Sequence, residues 1–283
     1  HGLENTIHIS EVDMVIEGVH EELTEFPSIV AGPVEQQIAE SIVDRMTNGA
    51  CIQLGVGGMP DAIGKLIAES ELKNLGIHTE LLVNAYLDMY KAGKITNLNK
   101  HDIMRGKSVF SIAHGTKELF DWVANNPSMC CAPINYVNDL SVIGEIDNFV
   151  SINSCIAVDL FGQISAESAG TRHISGTGGQ LDFLTAGFKN PRAKSFIALP
   201  STYTDKKGNL HSNIKPTFTG GDIITDPRSQ AYTMVTEYGI ENLAGASVWE
   251  RAEKLVGLAH PDFRDELVES AKNLNVWRQS NKR

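Results

Sequence analysis

Three features of the sequence could take part in catalysis or binding. They are one carboxylate in an apolar stretch and two glycine-rich loops. Glu80 follows Gly76 and stands between Ile77 and the run Leu81-Leu-Val83, a segment that predicts a β-strand. A carboxylate there either faces solvent at the end of the strand or is buried and needs polar partners. Position alone favours a structural role for Glu80 and leaves a chemical one open.

The glycine-rich loops are suited to binding an oxygen atom through backbone N–H groups. The first, Gly55-Val-Gly-Gly-Met-Pro60, links a predicted strand to a predicted helix, which is where phosphates and carbonyl oxygens bind. It lacks the Lys-Ser/Thr of a Walker loop and the glycine that a dinucleotide fingerprint needs at position 60. The second, Ser175-Gly-Thr-Gly-Gly179, permits close backbone approach to a ligand. Each loop taken alone is equally consistent with a tight turn.

Several other chemistries are disfavoured by the motifs. The segment Ala166-Glu-Ser-Ala-Gly170 lacks the first glycine of a hydrolase nucleophile elbow, and the histidines show no H-E-x-x-H spacing. The adjacent pair Cys130-Cys131 has no second Cys or His pair at zinc spacing. We therefore expect no metal site, and we expect the four cysteines to be reduced, buried thiols of a cytoplasmic protein.

Length and charge narrow the class of protein further. The chain has 283 residues, enough for one large domain or two modest ones with a sizeable core. Its formal net charge of −11 argues against nucleic acid as the main partner, because neutralising phosphates requires clustered Lys and Arg. The longest apolar runs fall far short of the roughly 20 residues that a bilayer needs, so no membrane partner is expected.

The elements that must position these groups alternate between helix and strand. A helix is predicted from Pro33 towards Gly49, a strand at Cys51–Gly55, a helix from Pro60 to Gly76 and a strand at Ile77–Val83. This order predicts an α/β fold with a mostly parallel sheet covered by helices. Further strands are predicted at Ser108–Ile112, Val150–Ser154, Ala157–Leu160, Lys194–Leu199 and Ala231–Thr236, helices at Thr116–Asn125 and Val248–Leu258, and a hairpin around Tyr203–Asn209.

Seven motifs, taken in order, resemble the acetyl-CoA hydrolase/transferase family over nearly the whole chain, and most closely its 4-hydroxybutyrate and butyryl-CoA:acetate CoA-transferases. They are Gln53-Leu-Gly-Val-Gly-Gly-Met-Pro-Asp-Ala62, Gly76-Ile-His-Thr-Glu-Leu81, Val137-Asn-Asp139, Asp159-Leu-Phe-Gly-Gln163, Ser175-Gly-Thr-Gly-Gly-Gln-Leu-Asp-Phe183, Val235-Thr-Glu-Tyr-Gly239 and Ala259-His-Pro-Asp-Phe-Arg264. The resemblance implies the CoA-transferase fold. Residues 1–28 are predicted to form a short strand at Thr6–Ile9 and an acidic connector. The resemblance implies that they are the tail of an N-terminal α/β domain and that residues 29–283 are the catalytic domain.

The resemblance further implies a ping-pong transfer of CoA between a short-chain acyl-CoA and a carboxylate such as acetate. Glu80 matches the family glutamate that attacks the thioester and later carries the CoA. Gly178 and Gly179 match the oxyanion and CoA-approach loop, and Gly57 and Gly58 are candidates for holding the substrate oxygen.

The resemblance implies two further site residues, Asn138 and Glu237. They match family residues that bind the acyl or carboxylate group. CoA is then a substrate, no metal is expected, and the expected assembly is a homo-oligomer. Two alternatives stay open, namely an acyl-CoA hydrolase that uses the same glutamate and a CoA-binding subunit that is inactive without its N-terminal half. The candidates for binding the CoA phosphates are Lys189, Arg192 and Lys194.

Overall fold

The computed structural model describes residues 1–19, 21–100, 102–230 and 233–282, apart from the side chains of Phe188 and Lys189. A 3-10 turn spans Ile9–Glu11. The helices are α1 Pro33–Val43, α2 Gly58–Glu69, α3 Asn84–Lys91, α4 Lys117–Val123, α5 Ile134–Val137, α6 Leu140–Gly144, α7 Gln180–Lys189, α8 Val248–Leu258 and α9 Pro261–Asn273. The strands are β1 Cys51–Leu54, β2 Gly76–Leu82, β3 Ser108–Ala113, β4 Met129–Cys131, β5 Phe149–Ser154, β6 Ala157–Asp159, β7 Ile164–Ser165, β8 Ser168–Ala169, β9 Arg172–His173, β10 Lys194–Ala198, β11 Thr202–Thr204, β12 Leu210–Ser212, β13 Ile214–Lys215, β14 Thr233–Thr236 and β15 Gly239–Asn242.

The main sheet runs in the order β15-β14-β10-β5-β1-β2-β3-β4. Every neighbouring pair in it is parallel except β14 and β15, which form an antiparallel hairpin at one edge. Parallel strands need crossover connections, and here α2 links β1 to β2 while α7 precedes β10. The loops after the carboxyl ends of the central strands therefore meet at one edge of the sheet, where ligands bind in such folds.

Two layers of helices cover this sheet. Along β1 and β5, Ile52 and Val150 pack with α1 and α2, while the preceding residues Cys51 and Phe149 pack with α7 through Phe183. This alternation follows from the two-residue period of a strand, and burial on both faces explains why these strands read as apolar runs. A separate apolar cluster joins α8 and α9 to the edge of the sheet around β10 and β14.

The predicted α/β architecture is confirmed, with differences confined mainly to element ends. The predicted strand at Thr6–Ile9 is wrong, because no strand among the described residues pairs with this segment, which is extended and then forms the 3-10 turn. The helix predicted from Pro60 begins at Gly58 and ends at Glu69, well before Gly76. The polar hairpin is confirmed by the antiparallel pairing of β11 with β12. Of the predicted strand Ala231–Thr236, residues 231 and 232 lie outside the described residues.

Two further expectations concern thiols and membranes. All four cysteines are free, with Cys51 and Cys130 buried and Cys131 and Cys155 partly buried. No helix in the described ranges combines the length and apolar character needed to cross a bilayer.

Candidate active site

Glu80 lies near the carboxyl end of β2, next to the centre of the main sheet. The strand is fully buried from Gly76 to Thr79, and exposure begins at Glu80 and Leu81. His78 and Glu80 are two residues apart, so they project from the same face of the sheet, the one covered by α5 and α7. The strand thus delivers a half-buried carboxylate to the edge where the neighbouring loops converge.

Two donors converge on one oxygen of Glu80. The Asn138 side-chain amide donates to Oε2 at 2.8 Å, and the backbone N–H of Gly179 donates to the same atom at 2.7 Å. Asn138 is the C-cap of α5, and Gly179 is the N-cap of α7. Bonds to an ionised acceptor are the stronger class of hydrogen bond, so the two donors fix the carboxylate in place.

Gly179 has to be glycine for steric reasons. A Cβ at this position would collide with Glu80 Oε2 and with the Asn138 side-chain nitrogen. Its backbone, with φ −80° and ψ 8°, is accessible to any residue, so close approach and not conformation selects glycine here. At Gly178, by contrast, an added Cβ would lie 3.5 Å from Glu80 Oε1, an ordinary contact.

A second carboxylate, Asp182, lies beside this group. Burial raises the pKa of Asp182, a hydrogen bond from Asn138 opposes the rise, and the nearby charge of Glu80 adds to it. Asn138 thus interacts with both carboxylates through its amide group. The position of Asp182 near Glu80 is explained by helical geometry, because Asp182 lies three residues after Gly179 in the first turn of α7.

The carboxylate opens into a pocket of about 470 Å³ between β1, β2, β5 and the second glycine loop. On its floor Gln53 and Asn153 form a reciprocal amide pair, with both hydrogen bonds at 3.0 Å. Each amide donates one hydrogen bond to the oxygen of the other, so the two buried side chains hold each other in place. A pocket of this size accommodates a small acyl group beside Glu80.

Behind the carboxylate, a buried histidine supports one of its donors. His78 Nε2 lies 2.8 Å from the carbonyl oxygen of Val137, the residue before Asn138. Burial, together with the charge of the buried Lys100, lowers the pKa of His78 to about 3, so the ring is neutral near pH 7. With Nε2 protonated, the ring donates to Val137 and fixes the end of α5 that carries Asn138.

The structure brings together some of the predicted site residues and separates others. Glu80, Asn138, Gly178 and Gly179 share the pocket or contact one another directly. Glu237 instead follows β14, four strand positions from β2, where both its oxygens accept hydrogen bonds from Ser201. Its role beside Glu80 stays a prediction.

The first glycine loop also contributes differently from the expectation. Gly57 adopts φ +113°, which favours glycine, and is the N-cap of α2. The pocket that contains Glu80 is lined by Gly55 and Val56, whereas a Cβ added at Gly58 would face Ile29 of the N-terminal segment. The assignment of Gly57 and Gly58 to substrate oxygen stays a prediction.

The candidate phosphate-binding cations have local partners where they are described. Arg192 forms an ion pair with Asp147 at 2.8 Å, and Lys194 donates to the carbonyl oxygen of Arg45 at 2.6 Å. The side chain of Lys189 lies outside the described residues. Within the described part of the chain, no group of three or more His, Cys, Asp or Glu side chains is arranged to hold a metal ion.

Sequence reasoning missed three residues at the site, namely Asp182, Gln180 and Glu167. Asp182 and Gln180 stand within the quoted motif that begins at Ser175, immediately after Gly179, so helical spacing was a usable signal. Glu167 gives no such signal, because only the tertiary fold brings it to the wall of the pocket.

The site therefore consists of a half-buried carboxylate that is held by two converging donors beside a pocket. Residues 115–271 match the acetyl-CoA hydrolase/transferase C-terminal domain. The chain is 50% identical to the butyryl-CoA:acetate CoA-transferase of Anaerostipes caccae over 99% of its own length and 63% of that protein. It is 41% identical to the 4-hydroxybutyrate coenzyme A transferase of Clostridium kluyveri over 94% of this chain and 60% of that one.

Solved structures agree with the sequence relatives. RipA from Yersinia pestis superposes with a TM-score of 0.85 at 38% identity, covering 97% of this chain and 60% of that one. The 4-hydroxybutyrate CoA-transferase of Porphyromonas gingivalis superposes with a TM-score of 0.79 at 37% identity, covering 96% and 63%. The chain therefore belongs to the acetyl-CoA hydrolase/transferase family, and it spans about three fifths of the length of the relatives it matches.

Proposed function

We propose that the chain carries the nucleophile of a CoA-transferase that moves CoA between a short-chain acyl-CoA and a carboxylate such as acetate. The observation that carries the proposal is the convergence of Asn138 and Gly179 on a single oxygen of Glu80. The similarity to butyryl-CoA:acetate and 4-hydroxybutyrate CoA-transferases supports this substrate class.

The two oxygens of Glu80 differ in their hydrogen bonds, which suggests a different role for each oxygen in the reaction. Both hydrogen bonds that the described residues make to this carboxylate go to Oε2, so Oε1 is the oxygen that attacks the thioester carbonyl. Attack by Oε1 breaks the C–S bond, releases the CoA thiolate and forms a mixed anhydride. The anhydride is close in reactivity to the thioester, so transfer proceeds without an activating nucleotide.

The same two donors then serve the second step. The thiolate attacks the carboxyl carbon of Glu80, negative charge develops on Oε2, and the product carboxylate leaves with the bond to Oε1. Asn138 and Gly179 already stand at 2.8 and 2.7 Å from Oε2, the distances that an oxyanion hole requires. A glutamyl-CoA thioester results, and the incoming carboxylate reverses both steps.

Because a carboxylate is a weak nucleophile, the remote part of CoA must contribute binding energy to the reaction. In the proposal, a further domain of the full-length protein shares the contacts to CoA, in keeping with the greater length of the relatives. A homo-oligomer remains the expected assembly.

The proposal is tested by trapping the thioester in the full-length protein. Incubation with butyryl-CoA followed by borohydride should convert Glu80 to the alcohol, detected by mass spectrometry of its peptide. Glu80→Ala should abolish both the label and turnover. Intact turnover with unreduced Glu80 would rule the covalent route out.

The acceptor is identified in a second assay. Acetate-dependent exchange of CoA that outpaces release of free CoA indicates a transferase, whereas release independent of acetate indicates the hydrolase alternative. That alternative has weaker support, since the matched acetyl-CoA hydrolases of Candida albicans and Kluyveromyces lactis are only 26% identical to this chain. Binding of CoA without either reaction would indicate the non-catalytic subunit.

A further inference from the structure

Gly55, directly after β1, lies between Glu80 and Asn153 on the face of the sheet that lines the pocket. The register of β1 with β2, continued past the end of β1, places Gly55 level with Glu80. The register of β1 with β5 places it level with Asn153. Residues that are level on neighbouring parallel strands point to the same face, so the three form one row with the glycine in the middle.

The backbone conformation does not require glycine at this position. Gly55 is not among the glycines with a positive φ, and it lies between β1 and α2, outside any helix. A Cβ added to it would lie 3.1 Å from Asn153 Oδ1, and its three nearest atoms would all belong to Ile152 and Asn153 of the neighbouring strand. The missing side chain would therefore occupy the pocket between Glu80 and Asn153, and glycine keeps this space open.

Two buried amide groups close the far side of this space. Asn153 is 6% exposed, and Gln53, two residues before Gly55 on the same face, is 3% exposed. Their reciprocal hydrogen bonds use one N–H group and one oxygen lone pair of each amide. Since a side-chain amide has two N–H groups and two lone pairs, each keeps one donor and one acceptor position that no described residue fills. Both side chains line the pocket, so a group inside the pocket can pair with these positions.

The two sides of the pocket differ in their access to solvent. Residues 175–178 on one side are exposed, whereas the amide pair on the other side is buried. Because CoA is far larger than the pocket, its arm has to leave by the exposed side, and the acyl group extends over Gly55 towards the amides. An alkyl chain would cover the spare positions of the amides without pairing them, which is unfavourable in a buried site. A hydroxyl group both donates and accepts, so it can pair with them.

We propose that Gly55, Gln53 and Asn153 form an acyl-specificity site, which favours an acyl group with a hydroxyl near its far end over a plain alkyl group of the same length. Glycine at position 55 provides the room for the chain, and the amide pair binds the hydroxyl. The effect on turnover rests on the proposed function, because it requires that the acyl group attacked by Glu80 lies in this pocket.

Gly55→Ala tests the room for the chain. The added methyl group narrows the space beside Asn153, so longer acyl groups should be excluded first. In the full-length protein, kcat/KM for butyryl-CoA should fall about 10-fold more than kcat/KM for acetyl-CoA, the scale on which enzymes discriminate by chain length. Acetyl-CoA is the matched control, because its acyl group is too short to extend across the space. Equal losses with the two substrates contradict the proposal.

A double variant tests the amide pair. Gln53→Met combined with Asn153→Leu roughly keeps the side-chain volumes and removes both partners together, whereas a single substitution would leave one buried amide unpaired. The ratio of kcat/KM for 4-hydroxybutyryl-CoA to kcat/KM for butyryl-CoA should fall about 10-fold, the scale of one neutral hydrogen bond. Circular dichroism and urea unfolding establish that the variant is folded, and a folded variant that keeps the parent's ratio overturns the proposal. If the double variant does not fold, the Gly55→Ala comparison and the affinities of the parent decide.

Unreactive analogues separate this proposal from the proposed function. Calorimetry compares the thioethers S-butyl-CoA and S-(4-hydroxybutyl)-CoA, neither of which can acylate Glu80. The hydroxylated thioether should bind the parent about 10-fold more tightly, and the double variant should lose this advantage. Equal affinities in the parent overturn the proposal. If Glu80 cannot be trapped with butyryl-CoA but the affinities differ as expected, the proposed function is wrong and the acyl-specificity site stands as a binding site.

Discussion

The backbone N–H of Gly179 and Oε2 of Glu80 form a 2.7 Å hydrogen bond between residues 99 positions apart in the chain. The bond joins the end of a sheet strand to the first turn of a helix on one face of that sheet. It aligns the partial positive charge of the α7 N-terminus with the carboxylate, which adds to the effect of Asn138. The hydrogen bond thus joins the motif that contains Glu80 and the motif that contains Gly179 into one site, which can stabilise negative charge that develops during a reaction.

Replacing Gly179 with alanine should disable this arrangement. The added Cβ has no room beside Glu80 Oε2 and the Asn138 amide, so the donor must retreat from the carboxylate. Removal of one oxyanion donor typically lowers kcat by about 10²–10³-fold, and we expect a loss on that scale. Steady-state kinetics of CoA transfer at saturating acyl-CoA measure it.

Gly178→Ala is the matched comparison for that substitution. Its Cβ would make only an ordinary contact with Glu80 Oε1, so we expect a clearly smaller loss than at Gly179. Equal losses from the two variants would mean that the loop responds to any added bulk, and would contradict the steric argument.

Asn138→Ala should lower kcat by a similar factor of about 10²–10³, because it deletes the second donor to Oε2. It also removes the hydrogen bond that lowers the pKa of Asp182, so that pKa should rise further. A pH titration of the carboxyl resonances, run beside the kinetics, checks both effects. Unchanged kcat together with an altered Asp182 titration would show that Asn138 serves only Asp182.

His78 should make the free energy of unfolding depend on pH below neutrality. Its pKa falls from 6.5 to about 3 on folding, mainly through burial, so between those values the unfolded chain binds a proton that the folded chain excludes. The free energy of unfolding should therefore decrease as pH falls from 6.5 towards 3, by up to about 1.4 kcal/mol per pH unit from this group.

His78→Gln isolates that contribution, since glutamine carries an amide donor for the Val137 carbonyl but does not titrate. Urea unfolding at several pH values should give a shallower decline for the variant than for the parent. Parallel curves would show that His78 does not control acid stability. The carboxylates contribute to both curves alike, so the difference between them reports the histidine.

Much of the fold was predictable because strands and helices here carry regular apolar periods. The boundaries of α8, Val248–Leu258, were predicted without error, and a capping box between Ser247 and Glu250 marks its start. The wrong strand at Thr6–Ile9 shows the limit of that reasoning, since an apolar alternation forms a strand only where a partner strand is available.

The site was predictable only as far as motifs reach. Glu80 looked like a structural carboxylate until the ordered motifs gave it a family context, and the structure then placed Asn138 and Gly179 against it. Glu167 was missed because only the fold brings it to the wall of the pocket that contains Glu80. Tertiary proximity of this kind leaves no local periodic signal.

Glycines within helices offer a last test of the packing. Gly257 in α8 has open space around the position of an added Cβ, whereas at Gly64 in α2 a Cβ would lie against the backbone of Ala85 in α3. Gly257→Ala should therefore stabilise the protein by about 0.5–1 kcal/mol, the usual gain from removing a glycine from a helix.

Gly64→Ala should destabilise it by about 1–3 kcal/mol, because α2 and α3 must separate to admit the methyl group. Chemical denaturation measures both changes, and a stabilising Gly64→Ala would show that the two helices are less closely packed than the structure indicates.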